Sequence, residues 1–577
     1  EVLSTIVGVL SIIVGVSSTI VGVSSQEFEV PSQKLRALNV KITTLSVKFG
    51  YLSLKLEPPD IKRRSFSLKF GIGSHNNGIN NLNRPLENSR RPFFDLFLWE
   101  FYINFVAQNK SLMTLPSDFL SSLPPFAQKE AAAFLAALNE EAPASIRINP
   151  YKYRRRPLSV RPNIEAARVP WSDEGYYLSE RPAFTFDPLL HAGYYYVQEA
   201  SSMFIGSIVR EWVHTPAVCL DLCAAPGGKS INLLATLPGD SLLVSNEIIR
   251  QRAHILAENL AKFGHPSVVV TNNTPEDFDR LPGFFDVVLV DAPCSGEGMF
   301  RKDPAAVQEW SPQNVRMCAA RQKDILRHAW DALKAGGLLI YSTCTYNLQE
   351  NEENVRWMIE EWGADNIAVP VESSWNISPS FADDITAYRF FPHRTKGEGL
   401  FVAVLRKPGE ADSPGLSRKQ KKKSASFLKD TSPYTPYLQH AQQFEFASRN
   451  SYIVALPKAH ADTIRQLDER LNILSCGIET GEEKGRRFVP SQALALSIEC
   501  RPEAFNTCEV PYETAIAYLR KETLPPLDAP KDFVLITYKN EPIGFVKNMD
   551  NRANNLYPQP WRIRSPHPPA EPVNFIR

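Results

Sequence analysis

Two apolar runs near the middle of this 577-residue chain end in cysteines. Phe285-Asp-Val-Val-Leu-Val-Asp291 leads into Ala-Pro-Cys294-Ser-Gly, and Gly336-Gly-Leu-Leu-Ile-Tyr-Ser-Thr343 leads into Cys344-Thr-Tyr-Asn347. A thiolate is a strong nucleophile that can open a covalent route, and a carboxylate beside it can hold or move a proton. A free cysteine often only packs. Two of them, each ending a parallel-strand run beside a glycine turn, favour chemistry instead. Open parallel sheets bind ligands outside the carboxyl ends of their strands, so Asp291, Cys294 and Cys344 are expected to converge on one crevice.

The elements that must position these groups begin upstream. Ala217-Val-Cys-Leu-Asp221-Leu-Cys223-Ala224-Ala225-Pro226-Gly227-Gly228-Lys229-Ser230 reads as a strand, a tight turn and a helix start. Gly227 and Gly228 let the backbone approach a ligand and aim a helix N-terminus at a carboxylate or phosphate. An ordinary strand-to-helix turn would read the same way. The next apolar run, Ser241 to Asn246, ends at Glu247, 19 positions after Gly228. That is close to the offset of about 20 at which a carboxylate receives a ribose hydroxyl in doubly wound folds. The turn is neither G-x-G-x-x-G nor a Walker motif, which disfavours a pyrophosphate ligand. A nucleoside with a short charged tail fits better, and S-adenosylmethionine is such a molecule.

Cys-Ala-Ala-Pro-Gly-Gly-Lys, Asp-Ala-Pro-Cys-Ser-Gly and Ser-Thr-Cys-Thr-Tyr, in this order, resemble the NOL1/NOP2/Sun family of RNA cytosine-5 methyltransferases. The resemblance implies an α/β fold: a class I, Rossmann-like methyltransferase domain with a small N-terminal α+β RNA-binding part. It also implies that Cys344 attacks carbon 6 of cytosine and that Cys294 assists release. Asp291 would bond ring nitrogen 3, with Lys229 orienting the base. The cofactor site would comprise Asp221, Cys223, Ala224, Ala225, Pro226, Gly227, Gly228, Lys229, Glu247, Asn273 and Asp291, with Asn273 standing where related enzymes commonly place an aspartate against adenine. Lys484-Gly-Arg-Arg-Phe-Val-Pro-Ser-Gln-Ala-Leu-Ala-Leu496 and Asn555-Leu-Tyr-Pro resemble the C-terminal extension of bacterial 16S ribosomal RNA methyltransferase F-type enzymes, which ends in a PUA-like β-rich domain. Transfer RNA as substrate, a DNA methyltransferase using Cys294 as nucleophile, and a non-catalytic RNA-binding assembly factor are the alternatives. The intact Asp291, Cys294 and Cys344 speak against the last.

A hydrophobic content of 43% with 22% charged residues is ordinary for a globular chain of several domains. The formal net charge of +1 leaves nucleic-acid binding open, since local basic patches can exist on a balanced chain. Eight cysteines at scattered spacings make neither a disulfide framework nor a zinc site, so no metal is expected and a reducing cytoplasm is the simpler setting. Residues 1–112 open on a seven-residue tandem repeat, Ser-Thr-Ile-Val-Gly-Val and its variants, and the first methionine is Met113. They read as an unfolded or read-through extension, with a membrane anchor as the alternative. Residues 113–190 form the N-terminal part, where Lys152, Arg154, Arg155 and Arg156 interleave with Tyr151 and Tyr153 in a pattern that suits RNA or a plain solvated face. Residues 191–407 alternate in the α/β manner, and the basic, Pro/Gly-containing stretch 408–432 reads as a flexible linker. Residues 433–577 form the tail, with strands at Phe533–Lys539 and Ile543–Lys547 around an Asn-Glu-Pro turn. The expected partner is ribosomal RNA, possibly within a small subunit, bound by a monomer.

Overall fold

The computed structural model describes residues 45–47, 50–55, 67–72, 115–116, 118–123, 130–155, 167–410, 426–485, 487–569 and 571–573. The tandem repeat and most of the basic stretch 408–432 lie outside them. Within the segment read as an extension, 45–47, 50–55 and 67–72 are strands of an antiparallel three-stranded sheet, a unit separate from the rest.

The continuous apolar runs become buried parallel strands because both of their faces are covered. These are β1 (Val218–Asp221), β2 (Leu242–Asn246), β3 (Val268–Thr271), β4 (Phe285–Asp291) and β5 (Leu333–Thr343), in spatial order β3-β2-β1-β4-β5. β6 (Leu400–Arg406) adds antiparallel to β5. The order reverses between β1 and β4, and this switch point is where a doubly wound sheet opens a crevice. Helices α1 (Gly228–Thr236) and α2 (Arg250–Phe263) follow β1 and β2, and α3 (Pro312–Ala332) precedes β5.

Successive residues alternate between two cores, as the two-residue period of a strand demands. Leu220, Val244, Val288 and Leu339 pack with Leu326 of α3, while Cys219, Leu243, Leu289 and Ile340 pack with Ile231 of α1 and Leu256 of α2.

The sheet does not end at β3. Ile473–Cys476, from beyond the basic stretch, pairs antiparallel with β3 and covers its edge. The tail is thus partly built into the catalytic sheet. Farther on, Asp532–Tyr538 and Glu541–Asn548 form a hairpin turning at Lys539 (φ 52°) and Asn540 (φ 62°), the double positive φ of a type I′ turn. In the N-terminal part, Ala144–Ile148 pairs with Gly175–Leu178 and Tyr195–Val197. One core joins this sheet to the tail, with Leu178, Phe184 and Tyr195 packed among Tyr518, Val534 and Tyr557.

Candidate active site

β1 delivers Asp221 fully buried at its carboxyl end. Ser230 Oγ donates to Asp221 Oδ2 at 2.6 Å, and among the described residues Oδ1 has no partner. Burial pushes this carboxyl up to about 7, against the Ser230 hydrogen bond that lowers it; the nearby Asp291 charge adds to the rise. The following turn is braced by backbone contacts. Ala224 N–H donates to Asn246 O (2.8 Å), Arg252 donates to Ala225 O (2.8 Å), and Asn259 donates to Pro226 O (2.8 Å). Gly227 takes φ +115°, open to glycine and strained for other residues. At Gly228 a β-carbon would come 3.3 Å from the Tyr196 ring and 3.9 Å from Gln198, so the segment before α1 forms a close wall against the turn. Cys223 packs against the sheet core, and burial first, with the Asp221 charge second, drives its thiol well up.

Glu247 follows β2 and is 3% exposed. Its Oε1 accepts from Ile249 N–H (2.9 Å) and its Oε2 pairs with Arg252 (3.3 Å), which fixes the carboxylate in place. Asn273 is more heavily engaged than the sequence suggests. Its Nδ2 donates to Asp277 Oδ2 (3.0 Å) and its Oδ1 accepts from Asn472 N–H (2.9 Å), so it ties the loop after β3 to the tail.

β4 and β5 end side by side, Asp291 opposite Ser342 in register. Lys229 Nζ lies 2.8 Å from Asp291 Oδ2, and Ser342 Oγ donates to Asp291 Oδ1 at 2.8 Å. Burial alone would lower the Lys229 ammonium; the Asp291 carboxylate outweighs it and holds the pKa above the ordinary value. Cys294 Sγ and Cys344 Sγ are 3.1 Å apart, both half-buried and free of disulfides. The Cys294 thiol is pushed well up, first by its hydrogen bond with Cys344 and then by burial. The expected convergence of Asp291, Cys294 and Cys344 therefore holds, and Lys229 joins them from α1.

Residues that the sequence reading passed over hold this arrangement. Glu297, fully buried three positions after Cys294, accepts at Oε1 from Trp310 Nε1 (2.9 Å) and Asn347 Nδ2 (3.0 Å). At Oε2 it accepts from the backbone N–H groups of Tyr346 (2.6 Å) and Asn347 (3.1 Å). Glu350, also fully buried, accepts from Ser295 N–H (3.0 Å), Gln322 Nε2 (2.7 Å) and Asn347 Nδ2 (2.8 Å). The available signal was an acidic residue within each cysteine-bearing stretch, where neither apolar period nor turn chemistry calls for one.

The basic cluster is only partly an outward surface. Lys152 is buried and caps the carbonyls of Ala192 and Lys262, and Tyr151 Oη donates to Leu234 O at 2.9 Å. These two weld the N-terminal part to the catalytic domain, whereas Arg154 and Tyr153 face solvent.

Three family descriptions match in sequence. Residues 115–200 match the N-terminal domain of 16S rRNA methyltransferase RsmF, 213–406 match 16S rRNA methyltransferase RsmB/F, and 505–563 match the methyltransferase RsmF PUA domain. Ribosomal RNA small subunit methyltransferase F of Pectobacterium atrosepticum is 30% identical over 478 residues, covering 77% of this chain and 95% of that protein. The protein of the same name from an Escherichia coli strain is 31% identical over 461 residues, covering 74% and 91%. A methyltransferase homologue from Pyrococcus horikoshii, solved as a crystal structure, is 25% identical with a TM-score of 0.43, covering 50% of this chain and 93% of that one.

Proposed function

This chain belongs to the RsmB/F family of 16S rRNA methyltransferases, and from that premise we propose that it methylates carbon 5 of a cytosine in small-subunit ribosomal RNA. The observation that carries the reading is the cluster at the ends of β4 and β5: two thiols in contact, beside a lysine–aspartate pair.

Carbon 5 of cytosine is a poor nucleophile. Adding a thiolate at carbon 6 makes the ring electron-rich, and Cys344 is the group assigned to this attack. Asp291 bonds the ring at nitrogen 3 and Lys229 polarises the base, so the charge that develops meets preorganised partners. S-adenosylmethionine, when bound, supplies the methyl group. Once carbon 5 is methylated, a base takes its proton, that bond's electrons restore the carbon 5–carbon 6 double bond, and Cys344 leaves carbon 6, with Cys294 assisting the release.

The residues present fit the cofactor. Among the described residues, one buried oxygen of Asp221 has no partner, which suits a hydrogen-bond donor on the ligand. Asp221, the Cys223–Lys229 turn, Glu247 and Asp291 would hold it. Asn273 would act chiefly by fixing the loop after β3, since its amide already bridges Asp277 and Asn472. Residues 113–190 and 433–577 would flank the catalytic domain as RNA-contacting parts of a cytoplasmic monomer. Among the described residues no helix is long and apolar enough to cross a membrane.

Bisulfite sequencing of total RNA, with and without the gene, tests the reading. A single cytosine in 16S RNA should lose its protection when the gene is removed. Loss confined to transfer RNA would replace the substrate, and no loss at all would overturn the activity.

A further inference from the structure

The two cysteine loops belong to different strand ends and are 50 residues apart in sequence, so something must set the distance between their sulfurs. Chain connectivity does not. Ser295 Oγ and Thr345 Oγ1 bond across the loops at 3.1 Å, and the densest cross-loop contacts converge on Glu297. Glu297, on the Cys294 side, receives three hydrogen bonds from the Cys344 side: the N–H groups of Tyr346 and Asn347, and Asn347 Nδ2. Its fourth donor, Trp310, anchors the carboxylate against the start of the segment leading to α3. The next residue, Gly298, donates its N–H to Cys344 O at 2.6 Å. A β-carbon on Gly298 would sit 2.4 Å from that same oxygen, so only glycine permits the approach. Charged acceptors bind backbone N–H groups more strongly than neutral ones, and a buried carboxylate with both oxygens satisfied is rigid.

We infer that Glu297, with Gly298 beside it, is a positioning residue that holds Cys344 at working distance from Cys294. This deepens the proposed reaction and rests on it, because a shared site for attack and release has meaning only if both thiols serve one base. Glu350 supports the clamp from the other side, through Ser295 N–H and Asn347 Nδ2. Glu297 itself touches neither sulfur's expected substrate.

The test reads thiol spacing directly. Dibromobimane, which becomes fluorescent when both of its arms alkylate thiols, is applied to the purified full chain without RNA or cofactor, and peptide mapping locates the bridge. Wild type should be bridged between Cys294 and Cys344. Glu297→Gln puts an amide donor where N–H donors already point, and Gly298→Ala drives a methyl into Cys344 O; both should lower the bridge yield several-fold. In methylation assays both should lower kcat by about 100-fold, as expected for a misplacement near 1 Å, while KM for RNA and affinity for S-adenosylhomocysteine hold. Urea unfolding identifies variants that fold, and Gly298→Ala decides if Glu297→Gln does not. Wild-type bridging in a folded variant, or a change confined to KM, overturns the inference. A wild type that methylates nothing would instead overturn the proposed reaction and leave the bridging comparison to decide the clamp.

Discussion

Cys294 and Cys344 lie in sulfur contact, yet their surroundings fit them for different steps. The Cys294 thiol is held protonated by its neighbour and by burial. A protonated thiol is a poor nucleophile and a usable proton carrier. Cys294→Ala is therefore expected to attack and transfer methyl but fail to release, leaving an RNA-linked band on a denaturing gel. Cys344→Ala should give no such band, and the reverse pattern would make Cys294 the nucleophile. Asp221 supports a second prediction. Its folded-state pKa, about 7, lies above the ordinary carboxylate value, so the folded chain holds a proton that the unfolded chain has lost. Its contribution to stability accordingly falls as pH rises from about 4 to about 7 and is level beyond. A ligand that donates to Asp221 Oδ1 binds the ionised form. Calorimetry with S-adenosylhomocysteine should show affinity rising as pH passes about 7, and Asp221→Asn should flatten that rise. An unchanged slope in the variant would remove Asp221 from the site.

Among the elements, the strand least expected at the catalytic sheet is Ile473–Cys476. It covers the edge of β3, and Asn472 at its start accepts from Asn272 N–H (3.0 Å) and donates to Asn273 Oδ1. Asn272 in turn donates to Glu247 O at 2.7 Å, so the tail strand braces the loop that carries Glu247. Gly477 closes this strand with φ +60°, and a β-carbon there would lie 2.3 Å from Ala455 O. Gly477→Ala should cost about 1–3 kcal/mol in urea unfolding and weaken S-adenosylhomocysteine binding. Full stability in the variant would show that the strand docks without that turn. The strands and helices of the catalytic domain were legible because each buried run carries its own period and stop signals. The three motifs likewise marked Asp291, Cys294 and Cys344 as neighbours. Glu297, Glu350 and the Ile473–Cys476 strand were harder to read, since the contacts that give each its role reach mainly to residues tens to hundreds of positions away. Lys152 misled for the same reason: its charge is visible in sequence, but the carbonyls that absorb it are not.

At the scale of the whole molecule, the flanking parts are fused to each other as well as to the catalytic domain. Leu178, Phe184 and Phe186 of the N-terminal part, with Tyr195 just beyond it, share one core with Ile516, Tyr518, Val534 and Tyr557 of the tail, and Tyr512 Oη donates to Phe186 O at 2.9 Å. Such an arrangement places both flanks on one continuous body, so RNA would meet a single surface with the catalytic crevice fixed relative to it. It also means that neither flank can be removed cleanly. A chain ending at Cys500 would lose the tail half of that core and expose the aromatic face of the N-terminal part, a contiguous apolar patch of the kind that drives association. The truncated chain should therefore sediment as aggregate or require detergent, while the residue substitutions above remain monodisperse. Supplying residues 501–577 in trans should restore solubility if the two halves of the core recognise each other. A truncated chain that stays monomeric, with an unchanged unfolding midpoint, would show that the N-terminal part closes its own core and that the tail is an independent module.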